Sequence, residues 1–140
     1  MTNIPIQPAI RLARVTFPDV SMKTSSSVFA INDTDNNEEM EMSLSYNLLF
    51  MNKEVESNYQ FAIDFTVHLA NTHKDFQATI KMIALFETNV VIDDKFKTST
   101  FIQVNAPAIA FPYLRSFVTT ITSNAGFKPI ILPTINLAKN

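Results

Sequence analysis

The 140-residue sequence contains no cysteine and one glycine. Without cysteine there is no disulfide, no thiol nucleophile and no thiolate metal site, a pattern that fits a reducing compartment. With Gly126 alone there is neither a Gly-rich phosphate cradle nor a Gly-x-Ser-x-Gly nucleophile elbow. Charge is scarce as well: Asp, Glu, Lys and Arg make up 17% of the chain, where about a quarter is ordinary. The formal net charge is -2 and no Lys/Arg cluster occurs, so the electrostatic footprint of a nucleic-acid binder is missing. No apolar run approaches the ~20 residues of a membrane span, and MTNIPIQPAIRLARV lacks the basic start and long apolar core of a secretory leader. A soluble, cytoplasmic protein without membrane insertion is expected.

What is present is apolar. Hydrophobic residues make up 46% of the sequence and phenylalanine occurs twelve times. One domain, residues 1–140, is expected from the length, and it carries more apolar surface than a lone domain easily hides. Burial in an oligomer and an exposed apolar binding surface both account for that, and they are compatible.

Strands are written in alternation. Ala9 to Phe17 predicts a first strand with Ile10 and Leu12 on one face, Ala13, Val15 and Phe17 on the other, and Pro18 interrupting it. Ser21 to Phe29 is β-capable but polar, and Asn32 to Asn37 is a turn whose acidic character continues through Glu38, Glu39 and Glu41. That run reads either as a solvated loop or as a docking patch for a basic partner. In Met40 to Leu48 the even positions are apolar, in Tyr59 to Leu69 the odd ones, and in Phe76 to Phe86 the even ones again. Ile83 and Leu85 make the end of the last strand apolar on both faces. Short polar connections predict an antiparallel meander with a helix over one face. A short helix is expected from Asp93 to Gln103.

The long helix comes last. Asn105 is expected to cap it, Pro107 suits its first turn, and Phe111, Leu114, Val118 and Ile121 define one buried face, with Phe117 beside it. Gly126 ends it. Pro112 either bends this helix or moves its start to about Phe111.

Catalytic chemistry is hard to find. His68 and His73 lie five apart across a strand end and a turn, with no carboxylate cluster beside them. Adjacent Asp93 and Asp94 would point apart on a strand and suit a turn better, and Ser25 to Ser27 has no neighbouring base. No enzyme activity, metal or cofactor is expected.

The block AFPYLR, a helix, NAGFKP and then IILPTIN, spanning Ala106 to Leu137, resembles the C-terminal signature of the SecB secretion chaperones, with a weaker echo in ARVTFPDVSM. The resemblance implies an α+β, SecB-like fold: a four-stranded antiparallel sheet with one long C-terminal helix packed against it. It implies a homo-oligomer, dimer or tetramer, that acts as a holdase. Such a protein binds unfolded or pre-secretory polypeptides for export without nucleotide. On that reading Tyr113, Phe127, Ile131 and Leu132 form the client surface, Phe76, Met82 and Phe86 contribute from the sheet, and Arg115 is structural. The one-sided Phe and Met stripe reads equally as core packing or as an adaptable groove. The family continues past the crossover into a second amphipathic helix over the groove, whereas this sequence stops at Asn140, so a groove without that lid is expected. Of the acidic positions by which the family docks its motor ATPase, Asp19 fits the first, but Lys23 and Thr79 occupy the others. A dedicated partner-specific adaptor, such as a toxin–antitoxin or transport component, therefore stands beside the general chaperone. A module binding a small hydrophobic ligand is a third reading.

Overall fold

A computed structural model describes residues 7–25, 40–50, 57–71 and 75–134. The turn expected at Asn32 to Asn37, His73 and Ile135 lie outside the described residues. Four strands, β1 (Ile10–Thr24), β2 (Met40–Leu49), β3 (Gln60–Asn71) and β4 (Phe76–Thr88), form one sheet in the order β1-β4-β3-β2, every neighbouring pair antiparallel. Three consecutive strands form the expected meander. The remaining strand, β1, returns beside β4, which makes the connectivity a Greek key.

Pro18 does not end the first strand. A central strand could not absorb a missing ladder N–H, but β1 is an edge, where proline and bulges are tolerated. Two register shifts, between Leu12 and Arg14 and between Thr16 and Asp19, carry the chain through. The first changes the side-chain assignment as well. Ala13 is the extra residue, and it inverts the phase so that Val15 and Phe17 join Ile10 and Leu12 against the core instead of facing away from them. Strict alternation could not have shown this, because one inserted residue moves every later side chain to the other face.

The inner face carries the alternating stripes. Phe61, Ile63, Phe65 and Val67 of β3 and Ile80, Met82 and Phe86 of β4 are fully buried. Phe61 and Phe86, paired across strands, stack with ring centroids 5.0 Å apart. Burying one such ring stabilises by about 1.5–3 kcal/mol.

Three helical pieces follow. A short α1 (Asp94–Lys97) is capped by Asp93, whose Oδ1 accepts from the Phe96 N–H at 2.8 Å. A π-helical turn over Phe101–Asn105 then runs directly into the long α2 (Ala106–Asn124). The single helix expected from Asp93 to Gln103 is thus broken after Lys97. Asn105 is not a cap: its backbone is already helical (φ -72, ψ -41) and its side chain bonds no helix N–H. The preceding turn supplies partners instead, the Ala106 N–H donating to the Phe101 carbonyl. α2 continues through Pro112 and does not start at Phe111. The carbonyl left without a donor belongs to Ala108, which is exposed like Pro112 itself, so water can satisfy it. No helix among the described residues is long and apolar enough to cross a membrane.

α2 lies over the β1 and β4 side of the inner face, burying Ala110, Phe111, Leu114 and Val118. Phe117 stacks on Phe17 of β1 with centroids 3.7 Å apart. Its end is a Schellman motif: the Phe127 N–H donates to the Thr122 carbonyl at 2.9 Å and the Gly126 N–H to the Ser123 carbonyl at 3.1 Å. Gly126 has φ +93, a value that L side chains rarely adopt. This cap turns the chain back along α2.

Candidate client-binding surface

The returning segment, Phe127 to Thr134, has no regular secondary structure and is held by side chains of α2. Arg115, Thr119 and Thr122 follow i, i+4, i+7 spacing and so share a helix face. The Arg115 Nε donates to the Leu132 carbonyl at 2.6 Å and the Thr119 hydroxyl to the Ile130 carbonyl at 2.8 Å. The Thr122 hydroxyl accepts from the Ile130 N–H at 3.0 Å and donates to the Val118 carbonyl at 2.8 Å. Three helix side chains thus do for this segment what a neighbouring strand does in a sheet. The structural role expected of Arg115 has a definite partner.

This segment, a strap of residues 127–134 along α2, fixes which way its side chains face. Leu132 is 1% exposed and closes the core, whereas Ile131 is 67% exposed. Tyr113, on the outward side of α2, is 53% exposed and Ile109, one turn earlier, 40%. Phe127 is half-buried, its ring edge-on to Phe76 at 5.0 Å. An open groove of about 380 Å³ runs between helix and strap, lined by Pro112, Arg115, Ser116, Thr119, Thr120 and Ile131.

The residues chosen from sequence for the client surface therefore separate. Tyr113 and Ile131 are displayed and Phe127 is partly displayed. Leu132, Phe76, Met82 and Phe86 are core, because the strap and α2 cover the inner face, and they have no side-chain surface to offer in this arrangement. Thr119 and Thr122 were missed, although with Arg115 they make a polar i, i+4, i+7 row that the sequence shows.

The opposite sheet face is apolar around Ile83 and Leu85, as the sequence predicts, and polar over the rest of β4 and its neighbours. Cross-strand register sets Asp19 opposite Lys81, Lys23 opposite Gln77, and Ser21, Thr79, His68 and Ser43 along one rung. Asp19, Lys23 and Thr79 thus share a surface that lies away from the groove. The His68 Nδ1 and Thr79 Oγ1 are 2.9 Å apart. Asp64 buries a carboxylate oxygen, Oδ1, that has no hydrogen-bond partner. Among the described residues no group of three or more His, Cys, Asp or Glu could hold a metal ion.

The family model for SecB, preprotein translocase subunit SecB, matches residues 4–139. The chain belongs to the SecB family. Among SecB relatives, the protein-export protein SecB of Rickettsia rickettsii is 26% identical over 119 residues, which cover 84% of this chain and 76% of that one. A 42-residue stretch is 50% identical to an uncharacterized protein of Methanocaldococcus jannaschii, spanning 30% of this chain and only 27% of that protein. The fold is shared with a SecB-like chaperone of Mycobacterium tuberculosis solved in complex with an antitoxin peptide (TM-score 0.65, 11% identity, 90% of this chain and 87% of that one). A Streptococcus agalactiae protein of unknown function is more distant (TM-score 0.51, 8% identity, 92% of this chain and 100% of that one). SecB membership supports a chaperone role, and it bears out the resemblance read from the Ala106 to Leu137 block.

Proposed function

We propose that residues 1–140 form one SecB-like domain that acts as a non-enzymatic holdase, keeping unfolded or pre-secretory polypeptides from aggregating. The observation that carries this reading is Ile131: a large aliphatic side chain, 67% exposed, on a segment fixed on both sides by hydrogen bonds to α2. Ile131 is not the one such residue here, since Tyr113 and Ile109 of α2 are 53% and 40% exposed, and it is large apolar side chains displayed together that mark a binding surface. On this reading Tyr113 and Phe127 also meet the client, while Leu132, Phe76, Met82 and Phe86 belong to the core. The protein works in the cytoplasm as a homo-oligomer, dimer or tetramer, without nucleotide. Apolar contact alone gives sequence-tolerant binding, which suits many clients.

A second reading is favoured by one observation. Asp19, Lys23 and Thr79 lie together on the polar part of one sheet face, and a cation and a hydroxyl stand where the family's motor-docking face carries acids. On this reading the protein serves a dedicated partner, as the antitoxin peptide suggests for the mycobacterial neighbour, and does not hand clients to the secretion motor.

Suppression of aggregation of a chemically denatured client by the parent and by Tyr113→Asp/Ile131→Asp tests the holdase reading. The parent should suppress aggregation in salt that screens simple charge effects, and the folded double variant should not. A parent inactive at several-fold excess would reject the general holdase. Parent activity with antitoxin-type peptides but not with a panel of unfolded clients would favour the dedicated partner.

A further inference from the structure

An antiparallel sheet with one face on the core and the other in water reads apolar inside and polar outside. The outer face of this sheet, the one that α2 does not cover, departs from that rule at one end. Register places Arg14, Leu85, Ala62 and Leu49 along one rung across all four strands, and Thr16, Ile83, Asp64 and Asn47 along the next. Leu85, Ile83 and Leu49 are half-buried, and Ala62 among them is fully buried. Inside this apolar patch stands a carboxylate. Asp64 Oδ1 is buried and receives no hydrogen bond, neither from neighbouring Asn47 and Thr66 nor from any other described residue. Such an oxygen has lost water without compensation, and what it lacks is a donor. Arg14 has the opposite need: its guanidinium is exposed and makes no ion pair or hydrogen bond among the described residues. The two do not meet within one chain. They belong to strands two apart, about 10 Å at the ordinary strand spacing, and Ile83 and Leu85 of β4 lie between them.

We propose that two copies of the chain meet at this end of the outer face, Arg14 of each pairing with Asp64 of the other across a centre formed by Ile83 and Leu85. The point midway between Arg14 and Asp64 falls on β4 between those two apolar residues. A two-fold axis lying in the plane of contact and passing through that point exchanges Arg14 with Asp64, so both ion pairs form at once, as an isologous interface requires. Charge complementarity selects a second copy, because a partner carrying one sign of charge would satisfy one of the two residues and repel the other. The pairing gives Asp64 Oδ1 its donor and removes the aliphatic side chains from water. The inference takes from the proposed function only the homo-oligomer and names where its copies touch; it is independent of client binding, since the strap and the outward side of α2 stay free. Asp19 occupies the rung beside Ile83, so self-association competes with any partner that docks on the polar part of the same face.

The test is sedimentation velocity over a concentration series on the parent, Arg14→Glu, Asp64→Arg and an equimolar mixture of those two variants. Each variant alone sets like charges against each other at both pairs and should weaken the association step by about a hundredfold or more. In the mixture one copy carries acids at both positions and the other carries bases, so the two should associate with each other about as tightly as the parent does with itself. Rescue of that kind cannot arise from a folding defect. Should Asp64→Arg fail to fold, Asp64→Asn keeps the side-chain shape without its charge and should weaken association about tenfold. Association unchanged in Arg14→Glu and Asp64→Asn, or two folded variants that fail to rescue each other, would overturn this interface and leave the homo-oligomer standing. A parent that is monomeric at every concentration would overturn both, whatever its activity as a holdase.

Discussion

Replacing Thr122 with valine removes one oxygen and keeps the β-branched shape. The residue is fully buried, and its hydroxyl accepts from the Ile130 N–H at 3.0 Å while donating to the Val118 carbonyl at 2.8 Å. Val118 loses only a second bond to its carbonyl, a small effect inside a helix. Ile130 is different. Its N–H is left half-buried and without an acceptor, and such a group costs about 1–3 kcal/mol. For a chain of this size about 1 kcal/mol corresponds to roughly 2–4 °C in Tm. Urea unfolding at fixed protein concentration should show a lower midpoint with unchanged slope, the signature of lost stability without a change in surface exposed. Thr120→Val, an exposed helix position whose hydroxyl holds no part of the strap, should stay within about 0.5 kcal/mol. Amide exchange at Ile130 should rise before global unfolding. A Thr122→Val protein as stable as the parent, with Ile130 exchange unchanged, would refute the idea that helix hydroxyls hold the strap.

Other outcomes follow from the same geometry. Gly126→Ala should cost about 1–2 kcal/mol because of its φ of +93 rather than contact, since nothing lies within 4 Å of a Cβ there; thermal melts of the pair measure it. Ile131→Asp should leave stability nearly unchanged while Leu132→Asp should abolish folding or lower it steeply, given exposures of 67% and 1%; circular dichroism melts of the two variants check this. Burial raises the Tyr46 phenol above the ordinary tyrosine value of 10.0. The unfolded state therefore releases that proton first, so the associated stability is fully present below pH 10 and is lost as pH rises through the folded value. Tyr46→Phe should flatten that alkaline decline in a pH series of urea midpoints.

Much of the architecture could be read from period alone. The inner faces of β2, β3 and β4 follow alternation residue by residue, and the helix end at Gly126 follows from the lack of a Cβ. The reading failed where a local irregularity overrode the pattern. Ala13 and Pro18 sit at register shifts that an edge strand accommodates, so the proline expected to interrupt the strand lies within it. Asn105 has the chemistry of a cap, but a cap needs a non-helical predecessor, and the π-helical turn before it is itself helical. At the surface, apolar character along the strap was legible while its orientation was not. Ile131 and Leu132 are adjacent and alike in sequence, and only the bonds from Arg115, Thr119 and Thr122 to alternate residues decide that one faces out and the other in.

The central claim is that clients lie on the strap and the outward side of α2, not on the opposite sheet face. A photo-reactive amino acid placed at 131 or 113, and for comparison at 66 on the opposite face, can be cross-linked to a permanently unfolded client. Cross-links from 131 and 113 with few from 66 are the result predicted. Equal or stronger cross-linking from 66 would put the client on the sheet face and contradict the account.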